Sequence, residues 1–194
     1  MRNEFIKEIN KIHNEELRVA ALLMALDAPD YFWTAAASSS GKYHPTISLG
    51  EGGLLRHSIM VCNIAKDLIE AEVFIQPSDD VSVNDLNDWA IVASLFHDVI
   101  KRGEGDNTEH TVFEHPLLSA EFVRSHLTQA KINDSVINVI CNAIESHMGK
   151  WNTSSRSDTV LPKPSTKFGL LIHTADYMAS RKYMKGLESW EQTK

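Results

Sequence analysis

The sequence predicts a single domain built only of α-helices, and three observations support this prediction. The chain has 194 residues, which corresponds to roughly one domain, and 43% of them are hydrophobic, enough for one substantial core. Apolar residues recur at separations of three, four and seven, which is the spacing along one face of a helix. Neither convincing strand alternation nor an internal repeat or low-complexity tract is evident, so strands are not expected.

The first helix is predicted over residues 3–26. Its apolar positions follow helical spacing, and the Ala28-Pro29 pair ends the pattern. These positions are Phe5, Ile9, Ile12, Leu22 and Leu26. A polar, glycine-containing segment follows over residues 38–53, so we expect a loop before the next helix.

Five further helices are predicted, at residues 54–71, 86–97, 116–130, 134–147 and 166–185. Pro116 suits the first turn of its helix, because the N–H that proline lacks would have no partner there. Asp134 and Ser165 are expected to cap the two helices that they precede. The expected organisation is one domain over residues 1–194, with an N-terminal helix and loop (1–50), a core region (52–182) and a tail (186–194).

The charge of the chain excludes one class of partner. Lys and Arg number 19 and Asp and Glu number 26, so the net charge is −7 and the pI is about 5.7. Binding to duplex nucleic acid relies on many cations at the phosphates, so this partner is not expected. A phosphorylated substrate held by bound metal ions stays compatible with the sequence, because the sum omits the charge of the ions.

Apolar runs and cysteines indicate the compartment. No run reaches about 18 apolar residues, so no membrane partner is expected, and the opening MRNEFIKEIN lacks the apolar stretch of a secretory signal. Cys62 and Cys141 stand singly in apolar segments, so a disulfide scaffold is not expected. The sequence therefore predicts a cytoplasmic protein, and it does not distinguish a monomer from an oligomer.

Nine histidines are the one unusual count. His57, His97 and His147 fall in the apolar stripes of three predicted helices, and Asp176 falls in the stripe of a fourth. A lone histidine of this kind is most often a hydrogen-bonded core residue. Burying such a group without a partner costs several kcal/mol, so four that converge indicate a metal ion that satisfies them together. Asp98, next to His97 at a helix end, is able to reach the same cation.

The order and surroundings of these residues resemble the HD superfamily of metal-dependent phosphohydrolases. The family pattern His…His-Asp…Asp is similar to His57, His97-Asp98 and Asp176, and the segments GGLLRHSIMV, ASLFHDVIK and IHTADYMASR look like its three metal-site segments. The resemblance covers residues 52–182 and implies a helical bundle with the metal site between its helices.

Two further segments resemble the six-ligand subset of the family that holds two metal ions, which includes HD-type dinucleoside polyphosphate hydrolases and HD-type 3′–5′ exoribonucleases. They are EHPLLSAEFV, which contains His115, and AIESHMGKW, which contains His147. The resemblance implies that one ion is bound by His57, His97, Asp98 and Asp176, and a second by Asp98, His115 and His147. Imidazole and carboxylate ligands suit iron, manganese or another transition metal, with magnesium as an option in one site.

The resemblance also implies roles at the substrate. Asp98 and Lys101 are candidates for catalysis. Lys101 either neutralises a substrate phosphate or is a solvated lysine at a helix end, and Arg181 either contacts phosphate or forms a surface ion pair. Lys42 and His44 lie in the loop before the His57 helix, where they either line the pocket entrance and bind substrate or are merely exposed.

The leading functional hypothesis is a metal-dependent phosphohydrolase that uses metal-activated water to cleave a phosphoester or phosphoanhydride bond of a nucleotide-like substrate. The expected partner is a small phosphorylated molecule. One alternative is a 3′–5′ exoribonuclease-like phosphodiesterase, which the negative charge and the lack of room for an added RNA-binding domain disfavour. Two others are a non-catalytic regulatory or binding module, and a diiron oxygenase or oxygen carrier on the same histidine-rich site.

The remaining histidines and the tryptophans receive no role from the sequence. The histidines interpreted as non-ligands are His13, His110, His126 and His173. The four tryptophans are Trp33, Trp89, Trp151 and Trp190. Because they are spread widely along the chain, an aromatic platform for nucleobases is not expected.

Overall fold

Eight α-helices form the framework of the computed structural model, which describes residues 2–38, 41, 44–78, 80–103 and 110–182. The helices are α1 (Arg2–Ile9), α2 (Glu15–Asp27), α3 (Asp30–Thr34), α4 (Gly53–Glu70), α5 (Val83–Phe96), α6 (His115–Gln129), α7 (Asp134–Glu145) and α8 (Lys167–Ala179). A 3₁₀ turn, Thr46–Ser48, precedes α4. Within these ranges, extended pairing is limited to the isolated bridges Ser78–Val81 and Ser154–Ser157, so the predicted all-helical class is confirmed.

Side-chain caps fix where the later helices begin. The Ser82 hydroxyl accepts from the N–H of Asp85, and the Asp85 carboxylate accepts from the N–H of Ser82, so α5 begins three residues before the predicted start. Asn133 and Thr166 cap α7 and α8, each one position from the residue that the sequence favours. The last helix ends at Ala179, and the predicted tail at 186–194 lies outside the described residues.

The predicted helix over residues 3–26 is wrong, because residues 10–14 separate two helices there. Asp88 of α5 is 2% exposed and accepts hydrogen bonds from the backbone N–H of His13 (2.9 Å) and of Asn14 (2.8 Å). The side chain of Asn14 then caps α2. A buried carboxylate from a distant part of the sequence therefore binds two N–H groups that a continuous helix would use internally.

The break also changes which face of α2 is buried. Leu26, expected in the apolar stripe, is 79% exposed, and Leu22 is only partly buried. The buried residues of α2 are instead Leu17, Ala20, Ala21, Met24 and Ala25. Because residues 10–14 are not helical, the apolar face of α1 does not continue in register along α2.

The core forms around α4, which packs against α1, α3, α5 and α8. Phe5 of α1 meets Phe32 and Phe96 edge to face, with ring centroids 5.6 and 5.5 Å apart. Cys62 and Cys141 are buried free thiols, in line with the expected absence of a disulfide. No helix in the described ranges has both the length and the hydropathy needed to cross a bilayer. This packing places α4, α5, α7 and α8 side by side, and the candidate site lies among them and the start of α6.

Candidate metal centre

The structure brings the six predicted metal ligands together from five helices or their ends. Five of the six are buried, and the side chain of the sixth, Asp176, is 19% exposed. The six are His57 (α4), His97 and Asp98 (C-terminal end of α5), His115 (first residue of α6), His147 (two residues after α7) and Asp176 (α8). Helix ends supply four of them, because a side chain there is free to turn away from its own helix into the space between neighbouring helices.

Three of the histidines are fixed by their own backbones. Nδ1 of His97, His115 and His147 each donates to the carbonyl three residues earlier, at 2.7 Å in every case. A carbonyl only accepts, so Nδ1 carries the proton and the lone pair of the neutral ring is on Nε2. Burial lowers the pKa of His147 to about 3, which keeps its ring neutral. Histidine ligands of metal ions are oriented by this kind of backbone contact.

The Asp98 carboxylate faces the nitrogens that these contacts leave unprotonated. Nε2 of His115 lies 3.1 Å from Asp98 Oδ1, Nε2 of His97 lies 3.3 Å from Oδ2, and Nε2 of His147 lies 3.7 Å from Oδ1. Buried hydrogen-bond acceptors therefore face one another, and Asp98 Oδ1, His97 Nε2 and His115 Nε2 have no hydrogen-bond partner. A cation between them would remove the repulsion and satisfy all three.

A second cluster shares His97. Nε2 of His57 lies 2.9 Å from Asp176 Oδ1, and Nε2 of His97 lies 3.8 Å from the same oxygen. The ligand atoms of His57, His97 and Asp176 lie within 4.8 Å of one another, and so do those of His97, Asp98 and His147. His115 lies outside both triads and joins the site through its contact with Asp98.

The donor set fits a divalent transition metal. Imidazole nitrogen and carboxylate oxygen are ligands that iron, manganese and zinc accept. The unpartnered buried atoms of Asp98, His97 and His115 are the structural reason to expect an ion here rather than a hydrogen-bonded polar core. Each triad has donor atoms that could hold an ion. The two triads share His97, whereas the predicted second site consists of Asp98, His115 and His147, so the predicted division of the ligands between two ions stays a prediction.

The electrostatics of the site favour positive charge. Burial alone would raise the pKa of Asp98, but Lys101 and His97 outweigh it and hold the pKa well below its ordinary value. Burial likewise opposes ionisation of Asp176, and His57 outweighs it to lower that pKa. Burial disfavours the charged form of His97, yet the charge of Asp98 raises its pKa overall. The site therefore holds two ionised carboxylates whose field attracts a cation.

A cavity of about 400 Å³ opens onto these clustered residues. Its walls include Asp98, His115, His147 and Asp176. Lys101 also lines it, and its amine contacts the Asp98 carboxylate, with a side chain only 11% exposed. Of the two roles that the sequence left open for Lys101, the structure places the amine inside the cavity and not in solvent.

The other predicted substrate-binding residues differ in position. His44 lines the cavity, its ring centroid lies 4.9 Å from that of His57, and burial lowers its pKa to about 3. Arg181 lines the same cavity, with its guanidinium carbon 4.3 Å from the centre of the Tyr177 ring and a hydrogen bond to the Ser180 hydroxyl at 3.0 Å. Lys42 lies outside the described residues.

The structure shows an aromatic pair at the cavity that the sequence did not indicate. Trp151 lines the cavity and stacks on Tyr177, with ring centroids 5.6 Å apart and an interplanar angle of 18°. The two residues are distant in sequence, and counting tryptophans alone misses a pair made with tyrosine. The sequence did place the two residues near the predicted site, because Trp151 follows the predicted ligand His147 by four residues and Tyr177 directly follows Asp176.

A second residue that the sequence reasoning passed over is His173. It was interpreted as a non-ligand, and it belongs to neither triad. Its Nδ1 donates to the backbone carbonyl of His147 at 2.6 Å. Its ring also lies so close to Gly149 that a Cβ there would approach it to 2.2 Å. His173 therefore holds the turn that carries His147 in place.

Comparison with known proteins agrees with this geometry. Neither the curated proteins nor the solved structures gave a match to the chain. A family model described as HD domain matches residues 54–181, a range that contains all six clustered residues and Lys101. The chain therefore belongs to the HD domain family, whose members are generally metal-dependent phosphohydrolases.

Proposed function

We propose that this chain is a phosphohydrolase that cleaves a phosphoester or phosphoanhydride bond of a nucleotide-like substrate and requires two divalent metal ions. The observation that carries the proposal is the buried Asp98 carboxylate, which faces ring nitrogens of His97, His115 and His147 at the wall of a cavity. A site of this kind binds cations and is open to a ligand from the cavity side. Family membership supports the same chemistry.

The two ions would be held by overlapping sets of residues. His57, His97, Asp98 and Asp176 would hold one, and Asp98, His115 and His147 the other. When bound, such ions activate water and stabilise negative charge on a phosphoryl group. The backbone carbonyls that fix Nδ1 of three histidines keep the Nε2 lone pairs turned toward the carboxylates, so the chain does not have to reorganise these rings when it binds metal.

Cationic side chains of the cavity would bind the phosphate. The Lys101 ammonium contacts Asp98 and carries a proton next to the metal ligands, so it is placed to neutralise charge that develops on a phosphoryl oxygen. Arg181 has its guanidinium fixed by Tyr177 and Ser180, which orients it before substrate arrives. His44, neutral and next to His57, would line the entrance side as a hydrogen-bonding group.

The function is tested by hydrolysis of a panel of phosphorylated compounds: bis(p-nitrophenyl) phosphate, nucleoside mono- and triphosphates, dinucleoside polyphosphates and a short oligoribonucleotide. The protein is loaded with Mn²⁺ or, under reducing conditions, with Fe²⁺. We expect metal-dependent release from a nucleotide and little from the oligoribonucleotide. Preference for the oligoribonucleotide would support the exoribonuclease-like alternative. Oxygen uptake without hydrolysis would indicate oxidase chemistry, and no turnover by metal-loaded protein would indicate a binding module.

The assignment of a second ion is tested with His115→Gln. We expect this variant to retain about one of two bound ions per chain, because His115 contacts Asp98 but is absent from the triad of His57, His97 and Asp176. The measurement is metal content by elemental analysis after gel filtration. The control is His126→Gln, a histidine that pairs with Asp27 away from the site. Two ions retained by His115→Gln would contradict the assignment.

A further inference from the structure

Two stacked aromatic rings lie where the cavity meets solvent. Trp151 lines the cavity together with the metal-binding candidates, yet 43% of its surface is exposed. Its indole stacks on the ring of Tyr177. A large apolar ring that is both part of a pocket wall and open to solvent is available to cover a planar group of a ligand.

The position of this pair is fixed relative to the ligands of the metal centre. Tyr177 lies on α8 next to Asp176, and Trp151 lies in the turn after His147. The N–H of Trp151 donates to the carbonyl of Met148 at 3.1 Å, and the next residue, Asn152, is tied to Leu161 by two hydrogen bonds of 2.9 and 3.0 Å. The platform is therefore held in place before a ligand binds.

The rest of the cavity has the cationic side chains and the volume that a phosphate-bearing ligand needs. Among the described residues that line it, Lys101 and Arg181 carry cationic side chains. The guanidinium carbon of Arg181 lies 4.3 Å from the centre of the Tyr177 ring, so cation and aromatic pair adjoin. A volume of about 400 Å³ falls within the range usual for small-ligand sites. A phosphate at the metal ligands and a planar base at the aromatic pair would thus occupy one continuous space.

We propose that Trp151, supported by Tyr177, is the surface on which the nucleobase of the substrate stacks, and that it determines the preference of this enzyme for nucleotides over simple phosphoesters. The inference rests on the proposed function, because it assumes that the phosphate of the ligand lies at the metal centre. The Lys150 amine lies 4.8 Å from the indole centre in the structure. Since Lys150 is exposed, a base can displace it from the ring at little cost.

The test measures binding, not turnover, with Mn²⁺-loaded protein and isothermal titration calorimetry. The probes are the 5′-phosphorothioates of adenosine and cytidine, with thiophosphate as the probe that lacks a base. The variants are Trp151→Leu and Trp151→Phe, and the matched control is Phe74→Leu, an aromatic residue 38% exposed outside the cavity. A melting curve of each variant verifies that it folds.

We expect Trp151→Leu to weaken binding of both nucleotide probes by about 5- to 100-fold, the usual range for loss of one base-stacking ring, and to leave thiophosphate binding within twofold. Trp151→Phe should recover most of the affinity, and Phe74→Leu should change nothing. Should Trp151→Leu fail to fold, the comparison of the wild type with Trp151→Phe still tests the inference. Nucleotide, but not thiophosphate, should quench a tryptophan emission that Trp151→Phe lacks.

Equal loss of nucleotide and thiophosphate affinity, no loss of either, or wild-type binding of nucleotides no tighter than thiophosphate would overturn the inference. The result is separable from that for hydrolysis. Tryptophan-dependent nucleotide binding without turnover would retain the platform and reject the proposed function. Hydrolysis of bis(p-nitrophenyl) phosphate without an effect of Trp151 on nucleotide binding would retain the proposed function and reject the platform.

Discussion

Among single residues, Asp98 is the one on which the candidate site depends most. It contacts three imidazole rings and the Lys101 amine while only 1% of its side chain is exposed. A buried carboxylate surrounded in this way is ionised, because Lys101 and His97 outweigh the effect of burial and hold its pKa well below the ordinary value. The three rings contribute lone pairs, not protons, as long as they stay neutral, so a cation is the partner that completes the site.

Replacing Asp98 by Asn should separate metal binding from folding. The amide keeps the shape of the carboxylate, and its NH₂ group is able to donate to one of the facing ring nitrogens, so the variant should remain folded. Loss of the charge should weaken metal binding by more than the roughly 10- to 100-fold that follows loss of an outer partner of a ligand. Metal affinity is measured by titration with a competing chelator.

The matched control for this substitution is Asp27→Asn. Asp27 is an exposed carboxylate, 66% accessible, that pairs with His126 outside the site. It should leave metal affinity and turnover unchanged. Unchanged metal affinity in Asp98→Asn would show that the carboxylate is not a ligand, whatever happens to activity.

At the level of helices, a partly buried ion pair joins α1 to α4. Glu8 is bound by Lys66 of α4 and by Lys11, both at 2.6 Å. Burial opposes ionisation of Glu8, but the two amines outweigh it and lower its pKa below the ordinary 4.5. Burial also disfavours the charge of Lys66, and Glu8 outweighs it and raises its pKa above the ordinary 10.5. Both partners are therefore charged between these two values.

Glu8→Gln should lower the free energy of unfolding by about 1–2 kcal/mol at pH 7, because a charged hydrogen-bonded pair is lost. A depressed carboxyl pKa stabilises the folded state above pH 4.5, and the contribution disappears as the pH falls through the lower, folded-state pKa. The difference from the wild type should thus shrink below pH 4.5, as measured by urea unfolding from pH 3 to 7. Glu4→Gln, which removes an exposed pair with Lys7, should cost less than about 0.5 kcal/mol at any of these pH values.

The break between α1 and α2 depends on Asp88. Asp88→Ala leaves the N–H groups of His13 and Asn14 without their acceptor in a part-buried position, which costs about 2–3 kcal/mol. For a chain of this length the melting temperature should fall by about 5–10 °C. Asp80→Ala, in the exposed loop before α5, is the control and should shift it by less than about 2 °C. An equal shift in both variants would mean that Asp88 does not fix this turn.

These elements explain which parts of the molecule the sequence could predict. The helices from α4 onward follow apolar periodicity and capping residues, which are local signals. His57, His97, His147 and Asp176 were predicted from that periodicity, Asp98 as the neighbour of His97, and His115 from the resemblance to the HD superfamily. The break at residues 10–14 depends on Asp88, about 75 residues away, and the Trp151–Tyr177 stack joins a loop to a helix. Contacts of this kind produce no periodic pattern in the sequence, so they are identified only in the tertiary structure.

For the complete chain, metal binding and stability should be coupled. The six clustered residues come from α4, the end of α5, the start of α6, the turn after α7, and α8, so one pair of ions would join five segments that are distant in sequence. A ligand that binds only the folded state stabilises it according to its concentration relative to its dissociation constant. The same ions would also remove the repulsion between buried acceptors around Asp98.

We therefore expect removal of metal by a chelator to lower the melting temperature by about 5–10 °C when the ion had been present at roughly 100 times its dissociation constant. Asp176→Asn should lose most of this shift, because it removes the carboxylate that His57 and His97 face, whereas Asp27→Asn should retain it. Differential scanning calorimetry with Mn²⁺, with Zn²⁺ and with excess chelator measures the effect. A melting temperature that does not change with metal would mean that the clustered residues do not bind ions in the folded state and that the acceptors around Asp98 are satisfied by protons instead. A shift that Asp176→Asn retains in full would mean that Asp176 is not a ligand of the ion that stabilises the fold.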